Sequence, residues 1–203
     1  MTTITHYEPR IMKYAALNAP LFPQTDKLWI RKDNANVQTD TNDIFSGKLV
    51  VVFTIPGALT PVCQNQFKDF VKHEKEFFNL GVSKIICLAK DTIDVMTAWH
   101  ASVNPHSSIQ MVSDPYLELP KPLDVELFTA KDAPSRLGSC TYQRSAMILK
   151  DGKVRYHIIE DMAKTCRMSS ARDLLEIVKK IVESEKLLVN LEKERENTIR
   201  SKL

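Results

Sequence analysis

The chain has 203 residues, 43% hydrophobic and 26% charged, with 28 Lys and Arg against 25 Asp and Glu for a formal charge of +3. That length suits one well-buried core with tails, and the mixed charges lack the cationic stripe that a phosphate backbone requires, so no nucleic-acid partner is expected. No apolar run approaches the ~20 residues that cross a bilayer, and the start MTTITHYEPR lacks a secretory core, so no membrane span is expected and the chain reads as soluble and intracellular.

Residues 1–47 are turn-rich, with Pro9, Pro20, Pro23 and the polar cluster RKDNANVQTDTND, and read as loops and short edge strands with little chemistry. The valine-rich run LVVVFT at 49–54 has the signature of a strand covered on both faces. Beyond Cys63, the residues Phe67, Phe70, Val71, Glu74, Phe77 and Phe78 recur at helical spacing up to Gly81, predicting an amphipathic helix with a largely aromatic buried face. KIICLA at 84–89 predicts a second buried strand. A helix over 92–103, ended by Pro105, and a short strand at Met111 and Val112 follow. SAMIL and KVRYHII flank Asp151-Gly152, a strong hairpin signal, and a long helix closes the chain. This order predicts one α/β domain with a central mixed sheet and helices on both faces.

Cysteines stand at 63, 87, 140 and 166 without a Cys-x-x-Cys pair, which argues against a thioredoxin-type dithiol site and a zinc ribbon. The histidines at 6, 73, 100, 106 and 157 have no metal-ligand spacing, so neither metal nor cofactor is expected. One cysteine is singled out by its setting. In PGALTPVC, Thr60 reads as a helix N-cap and Pro61 as the first helical residue, which places Cys63 in the first turn. Free backbone N–H groups and the positive end of the helix dipole there favour a thiolate, the nucleophilic form of cysteine. Taken alone, Cys63 reads better as a small core side chain, Thr60 as a plain cap and Arg144 as a surface ion-pair partner.

The segment VVVFTIPGALTPVC, with its P-x-x-x-T-x-x-C pattern after a buried strand, resembles the active site of the peroxiredoxins, and its PGALTP form is most similar to their type II, or atypical two-cysteine, branch. GVSKIICLAKDTIDVMTAWH is similar to that family's second strand and following helix, and QRSAMILKDGKV to its late hairpin, with Arg144 at the position of the active-site arginine. The chain departs from the branch at Gln64-Asn65-Gln66-Phe67-Lys68-Asp69, where a serine and a His-x-Pro-Gly stretch are usual, and YLELPKPLDVEL lacks a customary glycine.

The resemblance implies a thioredoxin fold and a thiol-dependent peroxidase acting on hydrogen peroxide and organic hydroperoxides. Cys63 would attack the O–O bond and Thr60 would donate to the thiolate or the peroxide. The Arg144 fork would hold thiolate and peroxide oxygens together, the N–H groups of Val62 and Cys63 would bind substrate, and Pro56 would wall off water. Cys166 would resolve the sulfenic acid, as in animal-type members. Cys87, at the second-cysteine position of plant-type members, reads as core, and Cys140 as a loop bystander. Electrons would come from thioredoxin, glutaredoxin or glutathione. Two alternatives stay open: a one-cysteine cycle resolved by glutathione or glutaredoxin, and a redox sensor or chaperone-like binder without turnover.

The resemblance also implies a homodimer. The domain is expected over 1–183, with 184–203 a helical extension; the closing helix carries an apolar stripe (Leu174, Ile177, Val178, Ile181, Leu188, Leu191), interrupted by Glu185, that docks on the domain or on another subunit or else is solvated. The final Ser201-Lys202-Leu203 matches the signal read by the peroxisomal import receptor, which predicts a peroxisomal matrix location, with the cytoplasm as the default.

Overall fold

The computed structural model describes residues 10–13, 21–47, 49–128, 140–160 and 166–200. In chain order the elements are β1 (Arg10–Lys13), β2 (Leu28–Lys32), β3 (Ala35–Thr39), α1 (Thr41–Phe45), β4 (Leu49–Thr54), α2 (Pro61–Asn79) and β5 (Lys84–Ala89). They continue with α3 (Ile93–Val103), β6 (Gln110–Ser113), β7 (Glu126–Phe128), β8 (Cys140–Tyr142), β9 (Ser145–Lys150), β10 (Lys153–Ile159) and α4 (Ala171–Arg200).

Eight strands form a mixed sheet in the order β1-β10-β9-β4-β5-β6-β2-β3. The centre, β4-β5-β6, is parallel because α2 and α3 supply the crossovers that parallel neighbours need, while β9 pairs antiparallel with β4 from Leu49 against Lys150 to Thr54 against Ser145. Every residue of β4 is buried, as the continuous apolar run predicts. The β9–β10 hairpin turns at Asp151-Gly152 with φ of 50° and 74°, the left-handed pair that a two-residue hairpin demands. Gly81, at φ 89°, terminates α2.

The sheet has two unlike faces. Leu49, Val51, Phe53, Ile85, Cys87 and Ile148 point to one core, shared with Phe67 and Phe70 of α2, Met96 and Trp99 of α3, and Leu174 and Val178 of α4. Val50, Val52, Ile86, Leu88 and Met147 point to the other, closed by Phe22, by Ile44 and Phe45 of α1, and by Leu119, Leu123 and Tyr142. The three long helices therefore share one face. The expectation of helices on both faces holds only through the five-residue α1, and the rest of that face is covered by loop segments and the β7–β8 pair.

The polar cluster forms much of the β2–β3 hairpin, short edge strands as read from the sequence, turning at Asp33 and Asn34 with φ of 48° and 62°, with mostly exposed residues that carry no apolar alternation. One local expectation is corrected. Cys140 opens β8, paired with β7, and does not lie in a loop.

Along α4 the buried positions end with Val178, and Ile177, Ile181 and Val182 pack partly against the core. Glu185 does not simply interrupt the stripe: it pairs with Lys150 at 3.0 Å and Arg155 at 3.7 Å on the β9–β10 hairpin. Beyond it Leu187, Leu188 and Leu191 are exposed, so the stripe's outer half does not dock on the described part of the domain.

Candidate active site

Thr60 is the N-cap of α2 and Pro61 its first residue, so Cys63 sits in the first turn, where its own N–H and that of Val62 have no acceptor four residues back. The turn leading there is held from several sides. Ile55 N donates to the Leu88 carbonyl (3.2 Å), the Thr141 hydroxyl donates to the Pro56 carbonyl (2.6 Å), and the Ala58 N–H donates to Asp91 Oδ2 (2.8 Å). Leu59 takes φ 62°, a left-handed conformation that costs a side-chain-bearing residue about 1 to 2 kcal/mol and is tolerated where surrounding bonds fix the loop. Pro56, in this turn, is buried.

Arg144 directly precedes β9, and the pairing of Ser145 with Thr54 delivers it to the carboxyl end of β4, beside the start of α2. Although almost fully buried, its guanidinium donates from Nη2 to Cys63 Sγ at 3.3 Å and from Nη1 to Gln66 Oε1 at 2.5 Å. The surface ion-pair reading of Arg144 is therefore excluded. The strand end is fixed by the Thr54 hydroxyl, which donates to the Gln143 carbonyl (2.7 Å) and lies 2.8 Å from Ser145 Oγ. A fully buried cysteine with a guanidinium on its sulfur and backbone N–H groups at its base has the parts of an anionic nucleophile site.

Thr60 departs from its expected role in this state. Its hydroxyl donates to the Gly57 carbonyl (3.1 Å) and makes no capping bond, because the tight turn brings that carbonyl within reach.

Gln66, which the sequence marks only as a departure from the family pattern, lies within the candidate site. One helical turn beyond Cys63, on the buried face of α2, its amide nitrogen donates to the Ser169 carbonyl (3.1 Å) and to Ser169 Oγ (3.2 Å) while its oxygen receives Arg144. Cys166 Sγ lies 3.7 Å from the same Ser169 hydroxyl. A chain of contacts through Arg144, Gln66 and Ser169 thus runs from Cys63 to Cys166.

All four cysteines are free thiols. Burial pushes the Cys87 thiol well up, with a further push from neighbouring Cys63 and a partial pull down from Arg144, which agrees with its reading as core. Burial also raises Cys166, opposed by its bond to Ser169 and the charge of Arg144. Burial raises Cys140, and Glu126 adds to it. No cluster of His, Cys, Asp or Glu able to hold a metal occurs among the described residues. Nor is any described helix long and apolar enough to cross a membrane. The Ser201-Lys202-Leu203 tripeptide lies outside the described residues.

Residues 20–175 match the Redoxin family. Peroxisomal membrane associated protein 20 of Schizosaccharomyces pombe is 31% identical over 150 residues, covering 73% of this chain and 90% of that protein. The chloroplastic Peroxiredoxin-2E of Arabidopsis thaliana is 30% identical over 155 residues, 75% of this chain, and the chain spans 65% of that relative's length. The crystal structure of reduced Prx3 from Vibrio vulnificus in complex with hydrogen peroxide superposes with a TM-score of 0.70 at 26% identity, covering 79% of this chain and 97% of that one. The mixed sheet with its flanking helices is the thioredoxin fold of these proteins.

Proposed function

Because the chain belongs to the peroxiredoxin family of thiol-dependent peroxidases, in its type II branch, we propose that Cys63 is the peroxidatic nucleophile and that Arg144, Thr60 and Pro56 complete its site. The observation that carries this reading is the buried guanidinium of Arg144, 3.3 Å from Cys63 Sγ at the start of α2. The thiolate attacks one oxygen of the hydroperoxide. A sulfur–oxygen bond forms, the O–O bond breaks, Cys63 becomes a sulfenic acid, and the leaving oxygen takes a proton to depart as water or an alcohol. Negative charge on the leaving oxygen is met by the Arg144 fork and by the N–H groups of Val62 and Cys63. On peroxide binding the Thr60 hydroxyl turns from Gly57 towards the reacting atoms, and Pro56, with no N–H to hydrate, keeps the wall dry.

Cys166 then resolves the sulfenic acid before further oxidation makes the loss irreversible. Its link to Cys63 through Ser169, Gln66 and Arg144 supports this role over Cys87, whose thiol is fully buried within a central strand. A small thiol or a dithiol protein, in the manner of glutathione, glutaredoxin or thioredoxin, reduces the disulfide. The catalytic domain ends near residue 183, where α4 leaves the core, and the exposed extension beyond it leaves room for contact with a second copy in a homodimer. Import into the peroxisomal matrix rests on Ser201-Lys202-Leu203, and similarity to a protein named for the peroxisomal membrane supports it.

The test is peroxide consumption with thioredoxin, glutaredoxin and glutathione offered separately. Multiple turnover with at least one donor, lost in Cys63→Ser, is expected. Stoichiometric oxidation without turnover under every donor would establish a sensor instead.

A further inference from the structure

Four donors converge on a single buried carboxylate oxygen behind the proposed active site. Glu160 follows β10 and is 1% exposed. Its Oε1 accepts the N–H groups of Arg167 (2.9 Å), Met168 (2.8 Å) and Ser169 (2.7 Å), and the Ser169 hydroxyl (2.9 Å). Its main chain is tied the other way: the Glu160 N–H donates to the Arg144 carbonyl (2.9 Å), and the Gln143 amide donates to the Glu160 carbonyl. One residue therefore joins the arginine's backbone to the turn that carries Cys166. Residues 167–169 form neither strand nor helix, so these three N–H groups have no ladder to join and Glu160 Oε1 satisfies them, while the buried Oε2 has no hydrogen-bond partner among the described residues.

We propose that Glu160 is a positioning residue that latches the Cys166 turn. Its carboxylate holds residues 167–169 against Gln66 and Arg144 in the reduced enzyme, and loosening this hold frees Cys166 to reach Cys63. The proposal rests on the reading of Cys63 as nucleophile and Cys166 as resolver. In the step it governs, the Cys166 sulfur bonds to the Cys63 sulfur, the Cys63 S–O bond breaks, and hydroxide leaves with the Cys166 proton as water. Cys166 is oxidised as the sulfenic sulfur is reduced, with no further oxidant. Arg144 touches Cys63 at one end and Gln66 at the other, and Gln66 touches Ser169, so a change at the Cys63 sulfur has a short route to the latch.

The test is timed alkylation of the reduced full-length chain with iodoacetamide, followed peptide by peptide by mass spectrometry, in the wild type and in Glu160→Gln. The amide keeps an oxygen in place but removes the charge. Since charge-assisted bonds are roughly twice as strong as neutral ones, Cys166 should label about tenfold faster. Cys87, fully buried in the central sheet, should label at the wild-type rate and so report that the fold is intact. Cys166 labelling within twofold of wild type in Glu160→Gln would overturn the latch. So would parallel acceleration at Cys87, which would make Glu160 a general support of the fold. After excess peroxide, Glu160→Gln should give more Cys63–Cys166 disulfide and less Cys63 sulfinic acid than wild type, and an unchanged partition would also overturn it. Faster Cys166 labelling with no oxidised Cys63 in any chain would uphold the latch and refute the reading of Cys63.

Discussion

Replacing Arg144 by lysine separates what its charge does from what its shape does. The guanidinium spans two partners at once, Cys63 Sγ at 3.3 Å and Gln66 Oε1 at 2.5 Å, from two different nitrogens. An ammonium on a shorter, unforked stem keeps the charge but cannot hold both contacts. One charge-assisted hydrogen bond is worth about 1.5 to 3 kcal/mol. At about 1.4 kcal/mol per tenfold in rate, losing one such contact as charge gathers on the peroxide oxygens slows attack by about 10-fold to about 140-fold. Arg144→Met removes the charge as well, leaves the buried Gln66 oxygen without this donor, and should lose more. The assay is single-turnover oxidation of the reduced enzyme by hydrogen peroxide, with the sulfenic acid trapped at timed intervals and circular dichroism as a check on folding. A folded Arg144→Lys chain that reacts within about threefold of wild type would refute the argument that the fork, beyond its charge, drives the step.

Other substitutions probe separate parts of the account. Cys63→Ser should abolish peroxide reduction, whereas Cys87→Ser and Cys140→Ser should keep most of it in the same coupled assay; near wild-type turnover in Cys63→Ser would relocate the chemistry. Burial holds the Cys87 thiol well above its ordinary value, so the folded chain keeps a proton that the unfolded chain releases above pH ~8.5. Stability from this group is therefore full below that pH and falls as pH rises through it, by up to ~1.4 kcal/mol per pH unit. Urea melts between pH 8.5 and 10 should show a shallower decline for Cys87→Ala, and an identical decline would contradict the sign. Deleting Ser201-Lys202-Leu203 should move a fluorescent fusion from peroxisomes to the cytosol with peroxidase activity intact, and a full-length chain found in the cytosol of a cell with peroxisomes would show the match to be accidental.

The elements that position Cys63 were legible because each carries its own local signal. LVVVFT and KIICLA are continuous apolar runs, the aromatic residues of α2 repeat at helical spacing, and Asp151-Gly152 marks a turn that the positive φ angles require. The α1 helix, at five residues, and β7 and β8, at three each, are too short for any period to register. Cys63, Thr60 and Arg144 could be named from a motif, but Gln66 could not. A glutamine on the buried face of a helix reads as an exception to amphipathicity until Arg144, 78 residues away, and Ser169, 103 residues away, are seen to occupy its two ends. Its one sequence signal was a polar residue at a core-facing position one turn after the cysteine. Glu160 gave less, since its partners lie in a turn with no regular pattern.

The most direct measurement is peptide mapping of the reduced full-length chain after one equivalent of hydrogen peroxide, with a sulfenic acid trap present in one half of the sample. The account predicts the trap on Cys63 in that half and a Cys63–Cys166 disulfide within one chain in the other, with Cys87 and Cys140 still reduced. Peroxide consumed while Cys63 stays freely alkylated, with the oxygen or the disulfide on another cysteine, would contradict it.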